Sequence, residues 1–125
     1  MTPFEDQFEV LCSSEPNASY QKLPDGTYLV IVRGVSLPDG WSKKTTDVKF
    51  VVPVGYPFAK LDCFWADSDL RLATGTVPAN TGANAIPHVA EPHLWFSWHV
   101  GTWNPNVDNL LTYLHVIERR FYSPR

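Results

Sequence analysis

The spacing of apolar residues predicts a helix near each end of the chain. Phe4, Phe8 and Leu11 recur at helical intervals, which indicates a short helix over residues 3–12. A longer stripe with the same period lies near the C-terminus and comprises Val107, Leu110, Leu111, Leu114, Ile117 and Phe121. Asn104, directly before a proline, is the expected N-cap of this second helix, because its side chain can accept from free N–H groups.

Between the two helices, the pattern changes to short apolar runs that are typical of β-strands. The runs TYLVIVR, DVKFVVPV and KLDCFWA follow one another, and the turn sequence LPDG stands on either side of the first. In the second run, three apolar residues alternate onto one face: Val48, Phe50 and Val52. In the third run, Leu61, Cys63 and Trp65 are expected to face one way.

A long segment over residues 67–92 has no periodicity and is rich in glycine, proline and asparagine. Loops of this length in compact proteins are usually functional or mobile, and its apolar content indicates that it lies over the domain. The order of elements predicts an α+β fold: a helix, an antiparallel meander of three to four strands, this segment, and a crossing helix. A length of 125 residues fits one domain over 1–125.

The composition narrows the classes of partner. Hydrophobic residues make up 44% and charged residues 18%, which supports a packed core rather than disorder. The net charge is −3 and the basic residues are scattered, so we expect neither nucleic acid nor a membrane as a partner. No apolar run approaches the roughly 20 residues of a membrane span, and the N-terminus is acidic where a signal peptide would be basic, which predicts a cytoplasmic protein.

Ser97 and His99 are the strongest candidates for chemistry. They are two positions apart, and on an extended segment such residues point to the same side. A hydroxyl beside an imidazole can act as a nucleophile with its general base near neutral pH. The alternative is purely structural: Ser97 would then be a small residue packed among neighbouring aromatic side chains, and His99 a surface imidazole.

Other reactive side chains compete with this pair. Cys63 is an alternative nucleophile, although its place within a predicted strand favours a buried structural thiol, and Cys12 is also expected to be a free thiol. His88 and His93 are alternative bases in loop contexts. The histidines and cysteines lack the paired spacing of a zinc site, so we expect no metal and no other cofactor.

Two motifs resemble the ubiquitin-conjugating enzyme superfamily. YPF at 56–58, shortly after the run DVKFVVPV, is similar to the Tyr-Pro turn of that family, and WNP at 103–105 is similar to its Trp-Ser-Pro step. The eukaryotic pattern also has a His-Pro-Asn tripeptide and a catalytic cysteine eight residues before the tryptophan. This chain has neither, and Trp95 stands at the position of that cysteine.

The chain more closely resembles a bacterial branch of that superfamily, found in operons with a ThiF-like activating enzyme and a ubiquitin-like protein. The resemblance covers about residues 23–121 and is carried by LPDG, GYP, DCFW, SWH, the following tryptophan and VDNLLTYL. It implies a ubiquitin-conjugating (UBC)-like fold with a Ser-x-His motif in the active-site segment. Trp98 lies in the middle of this motif, where the branch leads us to expect an arginine.

The resemblance implies a carrier of a ubiquitin-like protein. Ser97 would accept the carboxyl-terminal glycine from the activating enzyme as an oxyester, with His99 as base, and pass it to an amine of a target protein. Because an oxyester is less reactive than a thioester, the site would need oxyanion stabilisation, for which Asn80 and Asn84 are candidate donors. Asp108 would either complement the dipole of the last helix or orient His99.

Two further classes of function stay open at this point. A non-catalytic UBC-like binding module would present a ubiquitin-like protein or an activating enzyme, and the missing cysteine favours it. A structural subunit of an operon-encoded assembly would use its aromatic residues as an interface. Phe4, Phe8 and Trp41 are candidate contacts for an activating enzyme, and packing in the core is an equal alternative for them.

Overall fold

The computed structural model describes residues 3–98 and 101–125 of the chain. In chain order the elements are α1 (Pro3–Ser14), β1 (Ala18–Lys22), β2 (Tyr28–Ser36), β3 (Thr45–Val52), β4 (Phe64–Ala66), β5 (Thr81–Gly82), β6 (Leu94–Phe96) and α2 (Leu110–Phe121). The strands form an antiparallel sheet in the order β1-β2-β3-β4-β6-β5. The predicted α+β fold is confirmed: β1 to β4 form the meander, and β6 and β5 extend it.

The inner face of the sheet packs against the two helices. Val48, Phe50 and Val52 are all buried on this face, as the alternation of the second run predicts. From α1, Phe4 and Leu11 enter the same apolar cluster, and α2 contributes its own buried stripe. Burial of these apolar surfaces is the main force that holds the helices on the sheet.

A second apolar cluster covers the outer face of the sheet. It contains Leu23, Leu29, Trp65 and Ile86, of which Ile86 comes from the long irregular segment. Residues 83–92 of that segment, here called the outer cover, therefore lie over the sheet. A hydrogen bond of 2.8 Å from the Trp65 indole N–H to the Asn84 carbonyl fixes the outer cover to β4.

Strand β4, which corresponds to the third run KLDCFWA, is shorter than the sequence predicts. Only Phe64–Ala66 are extended and paired, and Cys63 lies directly before them. Leu61 is buried in the inner cluster, whereas Trp65 belongs to the outer one. The prediction that Leu61, Cys63 and Trp65 share one face is therefore wrong, because alternation holds only where the backbone is a regular strand.

The last helix begins later than predicted. Its N-cap is Asn109, whose side chain accepts from the Thr112 backbone N–H, while the Thr112 hydroxyl accepts from the Asn109 N–H. Asn104 instead starts a separate turn, where its carbonyl accepts from the N–H groups of Val107 and Asp108. Val107 is 67% exposed outside the helix, so its assignment to the buried stripe is wrong.

We expect Asn109→Ala to lower the free energy of unfolding by about 1 kcal/mol, because it removes the reciprocal cap from α2. Urea denaturation followed by circular dichroism measures the change. Asn106→Ala is the matched control, since Asn106 is exposed and precedes the helix. Equal stability of the two variants would contradict the assigned N-cap.

Candidate functional site

Ser97 lies immediately after β6, where the strand leaves the sheet. Its backbone N–H donates to the Asn80 carbonyl at 2.8 Å, which continues the pairing between β6 and β5 for one residue. The next residue, Trp98, donates to the Phe96 carbonyl at 3.0 Å, so the chain bends at this point. The Ser97 side chain is half-buried. The serine therefore stands on a backbone that is fixed on one side and partly open to solvent.

Cys63 belongs to the same end of the sheet as Ser97. The register between β4 and β6 pairs Ala66 with Leu94 and Phe64 with Phe96. Cys63 directly precedes Phe64 and Ser97 directly follows Phe96. Because the strands are antiparallel, both residues lie just beyond this pair, at the same end of β4 and β6. The structure thus brings the two candidate nucleophiles into one region.

The surroundings of Cys63 favour a neutral thiol. Burial raises the pKa of Cys63, the charge of Asp62 raises it further, and a hydrogen bond from the Trp95 side chain only partly opposes these effects. Because the thiolate is the nucleophilic form, a raised pKa reduces the reactive fraction near neutral pH. Cys63 is free of any disulfide, as is Cys12.

Tyr113 of α2 reaches the same region from the inner side. Its hydroxyl is buried and has no hydrogen-bond partner within the described residues 3–98 and 101–125. Burial raises the pKa of Tyr113, and the charges of Cys63 and Asp62 add to the effect. The tyrosine is therefore a neutral hydroxyl close to Cys63. The sequence indicated this position only as part of a helix.

The histidines occupy different places. His99, the predicted base, lies outside the described residues. His93 flanks the opposite end of β6, roughly 13 Å along the strand from Ser97 at the usual rise per residue. Its ring contacts the Lys49 ammonium at 2.8 Å and the Glu91 carbonyl at 3.0 Å. His88 lies 3.5 Å from the Asp25 carboxylate. His93 is therefore too far along β6 to take a proton from Ser97, and the observed contact of His88 is with Asp25.

The two asparagines contact the site region through their backbones. The Asn80 carbonyl accepts from Ser97, and the Asn84 carbonyl accepts from the Trp65 indole. Both side chains are exposed, and Asn80 has a φ of 61°. Since a carbonyl accepts hydrogen bonds, these contacts hold the segment in place and do not supply donors for an oxyanion.

Asp108 lies before the helix and not in its first turn. One carboxylate oxygen accepts from the Asn104 N–H at 2.8 Å, and the other lies 3.5 Å from the Thr112 hydroxyl. This position follows from the late start of α2 at Leu110. The observed contacts give Asp108 a role in shaping the turn that leads into the helix.

Arg120 lies in the last turn of α2, where a cation complements the helix dipole, and the structure buries it beside Trp98. Its guanidinium lies 5.5 Å from the centre of the Trp98 ring, and that of Arg125 lies at the same distance. Two arginines thus contact the tryptophan that replaces the expected arginine of the motif. One signal was present: Arg120 follows the buried Ile117 by three residues, which puts both on one helix face.

The remaining tryptophans near the site are structural. Trp103 donates from its indole to the Pro57 carbonyl at 2.7 Å, which ties the segment before α2 to the Tyr-Pro turn. Trp41 is buried and donates to the Phe121 carbonyl at 2.7 Å. Of the two alternatives for Trp41, core packing is the one observed. Trp41 is not an exposed contact for a partner.

The described residues contain neither a metal-binding cluster nor a membrane-spanning helix. Within 3–98 and 101–125, no three histidine, cysteine or acidic side chains converge on a point where they could hold a metal ion. The same residues contain no helix with the length and apolar character to cross a bilayer.

The arrangement of a helix, an antiparallel sheet, an irregular site segment and a crossing helix defines the class as an E2-like protein with a UBC-like fold. Prokaryotic E2 family E matches residues 8–123, and the chain belongs to this family. No significant match was found among curated proteins or among solved structures. Family membership supports an E2-like carrier role, which in general involves a ubiquitin-like protein and its activating enzyme.

Proposed function

We propose that this chain carries a ubiquitin-like protein as an oxyester on Ser97 and transfers it to an amine of a target protein. A ThiF-like activating enzyme supplies the ubiquitin-like protein with its C-terminal carboxyl group activated as a thioester. His99 acts as the general base. The chain is thereby a transferase that needs no cofactor of its own.

The first step moves the acyl group onto the serine. The Ser97 oxygen attacks the thioester carbon, a C–O bond forms, and the C–S bond to the activating enzyme breaks. The proton of the Ser97 hydroxyl passes to His99 and then to the departing thiolate. In the second step a neutral target amine attacks the ester carbon. An amide bond forms, the C–O bond breaks, and the Ser97 oxygen regains a proton.

The observation that carries the proposal is the contrast between two neighbouring nucleophiles. Ser97 is half-buried at a bend where the chain leaves β6. Cys63, at the same end of the sheet, has a raised pKa because of its burial. Ser97 is partly open to solvent and has a histidine two positions later as its proposed base, whereas burial disfavours the thiolate form in which Cys63 would have to attack.

The test is the chemical stability of the adduct. The pure chain is mixed with its cognate activating enzyme, ATP and the ubiquitin-like protein. We expect an adduct that survives dithiothreitol on a denaturing gel but is lost to alkaline hydroxylamine or mild base. In Ser97→Ala the adduct should fall at least about 100-fold, because the attacking oxygen is gone. His99→Ala should slow its formation by roughly 100-fold or more.

Cys63→Ala is the matched control, and we expect it to form the adduct at the normal rate. An adduct that dithiothreitol removes, and that Cys63→Ala abolishes, would refute the oxyester and assign the acyl group to the thiol. Absence of any adduct, together with a stable complex on a sizing column, would refute the transferase in favour of the binding module.

A further inference from the structure

Arg120 is a buried cation near the end of α2. Its side chain is only 1% exposed, and burial lowers its pKa, as does the nearby Arg125. Its nitrogens donate to three backbone oxygens at 2.9–3.0 Å: those of Ser123, Ala79 and Arg125. No Asp or Glu side chain among residues 3–98 and 101–125 forms an ion pair with it. Its remaining nitrogen, Nε, is buried and has no partner there.

Three aromatic rings also surround the Arg120 guanidinium. The centres of the Trp41, Phe96 and Trp98 rings lie 5.7, 5.3 and 5.5 Å from the guanidinium carbon. Ring faces attract cations within about 6 Å, and the attraction grows when water is excluded. Burying a charge is costly, so an arginine at this position calls for a structural or functional reason.

Two contacts connect Arg120 to the serine. The first runs through the backbone: Arg120 holds the Ala79 carbonyl, and the next residue, Asn80, accepts the Ser97 N–H at 2.8 Å. The Ala79 N–H donates to the Arg125 carbonyl at 2.8 Å, so Ala79 is held from both sides. The second contact is the Trp98 ring, which belongs to the residue directly after Ser97.

We propose that Arg120 is a positioning residue for Ser97. From the end of α2, Arg120 holds the backbone at Ala79, next to the Asn80 carbonyl that pairs with Ser97. It also contacts the ring of Trp98, the residue after Ser97. The guanidinium is suited to this task because it is planar, stacks on aromatic faces and presents several donors in fixed directions, whereas a lysine ammonium does not. The role in acyl transfer rests on the proposed function, but the positioning itself does not.

The test uses amide hydrogen exchange of the full chain, without any partner. In Arg120→Lys we expect the Ser97 amide to exchange at least about tenfold faster, while amides of β2 and β3 change by less than about threefold. Arg119→Lys is the matched control: it lies next to Arg120 on the exposed side of α2, and it should leave all of these rates unchanged.

Three results would overturn the proposal: an unchanged Ser97 amide in Arg120→Lys, equal acceleration of all sheet amides, or the same effect in Arg119→Lys. If Arg120→Lys does not fold, the unsubstituted chain decides the question. Its Ser97 amide and the Arg120 guanidinium protons should then become exchangeable at the same urea concentration, and exchange at different concentrations would refute the link.

With partners added, adduct formation by Arg120→Lys should slow about tenfold. Failure of the native chain to form an adduct would refute the proposed function and leave the exchange result valid.

Discussion

Replacing Ser97 with cysteine should change the adduct from one that survives dithiothreitol into one that dithiothreitol removes. The side chain at this position would still attack the activated carboxyl group, but the product would be a thioester. Thioesters exchange rapidly with added thiols, whereas oxyesters of serine do not. We expect the thiol-resistant fraction of the adduct to fall from nearly all to less than about one tenth, as measured on denaturing gels with and without dithiothreitol.

The neighbouring thiol needs a separate control in this experiment. Cys63 flanks the same strand pair as Ser97, so an acyl group on a new cysteine could in principle pass to it. The double variant Ser97→Cys with Cys63→Ala removes that route and should behave like Ser97→Cys alone. A Ser97→Cys adduct that resists thiol would show that the acyl group is not carried at position 97.

Phe96→Ala should destabilise the fold by about 3–5 kcal/mol, the usual cost of removing a buried phenylalanine. Phe96 is fully buried, stacks on Phe64 with ring centres 4.6 Å apart, and meets Phe121 edge-on at 5.8 Å. Its ring also faces the Arg120 guanidinium. The substitution therefore leaves a cavity and removes part of the environment of a buried charge. Urea denaturation should show a large fall in the unfolding midpoint.

Phe58→Ala serves as the control of the same residue type. Phe58 is 82% exposed in the Tyr-Pro turn, so its truncation should change the free energy of unfolding by no more than about 0.5 kcal/mol. A loss of less than about 1 kcal/mol in Phe96→Ala would contradict the central position of Phe96 in the packing.

Periodicity predicted those parts of the fold in which secondary structure is regular and one-sided. The alternation at Val48 and Phe50 located β3 and its buried face, and the spacing of Phe4 and Leu11 located α1. The predicted start of α2 was wrong because both Asn104 and Asn109 could cap a helix. Which asparagine does so depends on the residues that follow it. Asn109 has Thr112 three residues later, and this reciprocal pair determines the start.

The candidate site was predictable only in part, because most of its contacts join distant parts of the chain. The motif pointed to Ser97 and Cys63 but not to the strand register that places them at one end of the sheet. Arg120 reaches Ala79 across 41 positions of sequence, a contact that no local pattern contains. An arginine near the C-terminus of a helix usually complements the helix dipole from the surface. This local explanation gave no reason to expect that Arg120 is buried.

The outer cover has a consequence for the rigidity of the site. Because residues 83–92 and the two helices enclose the sheet from opposite sides, the buried part of β6 is shielded from water on both faces. Hydrogen bonds in such a low-dielectric interior are stronger and exchange slowly with solvent. Ser97 follows directly at the boundary of this interior. The proposed nucleophile therefore follows directly on a rigid support, so its side chain can rotate about its own bonds while the backbone before it is held in place.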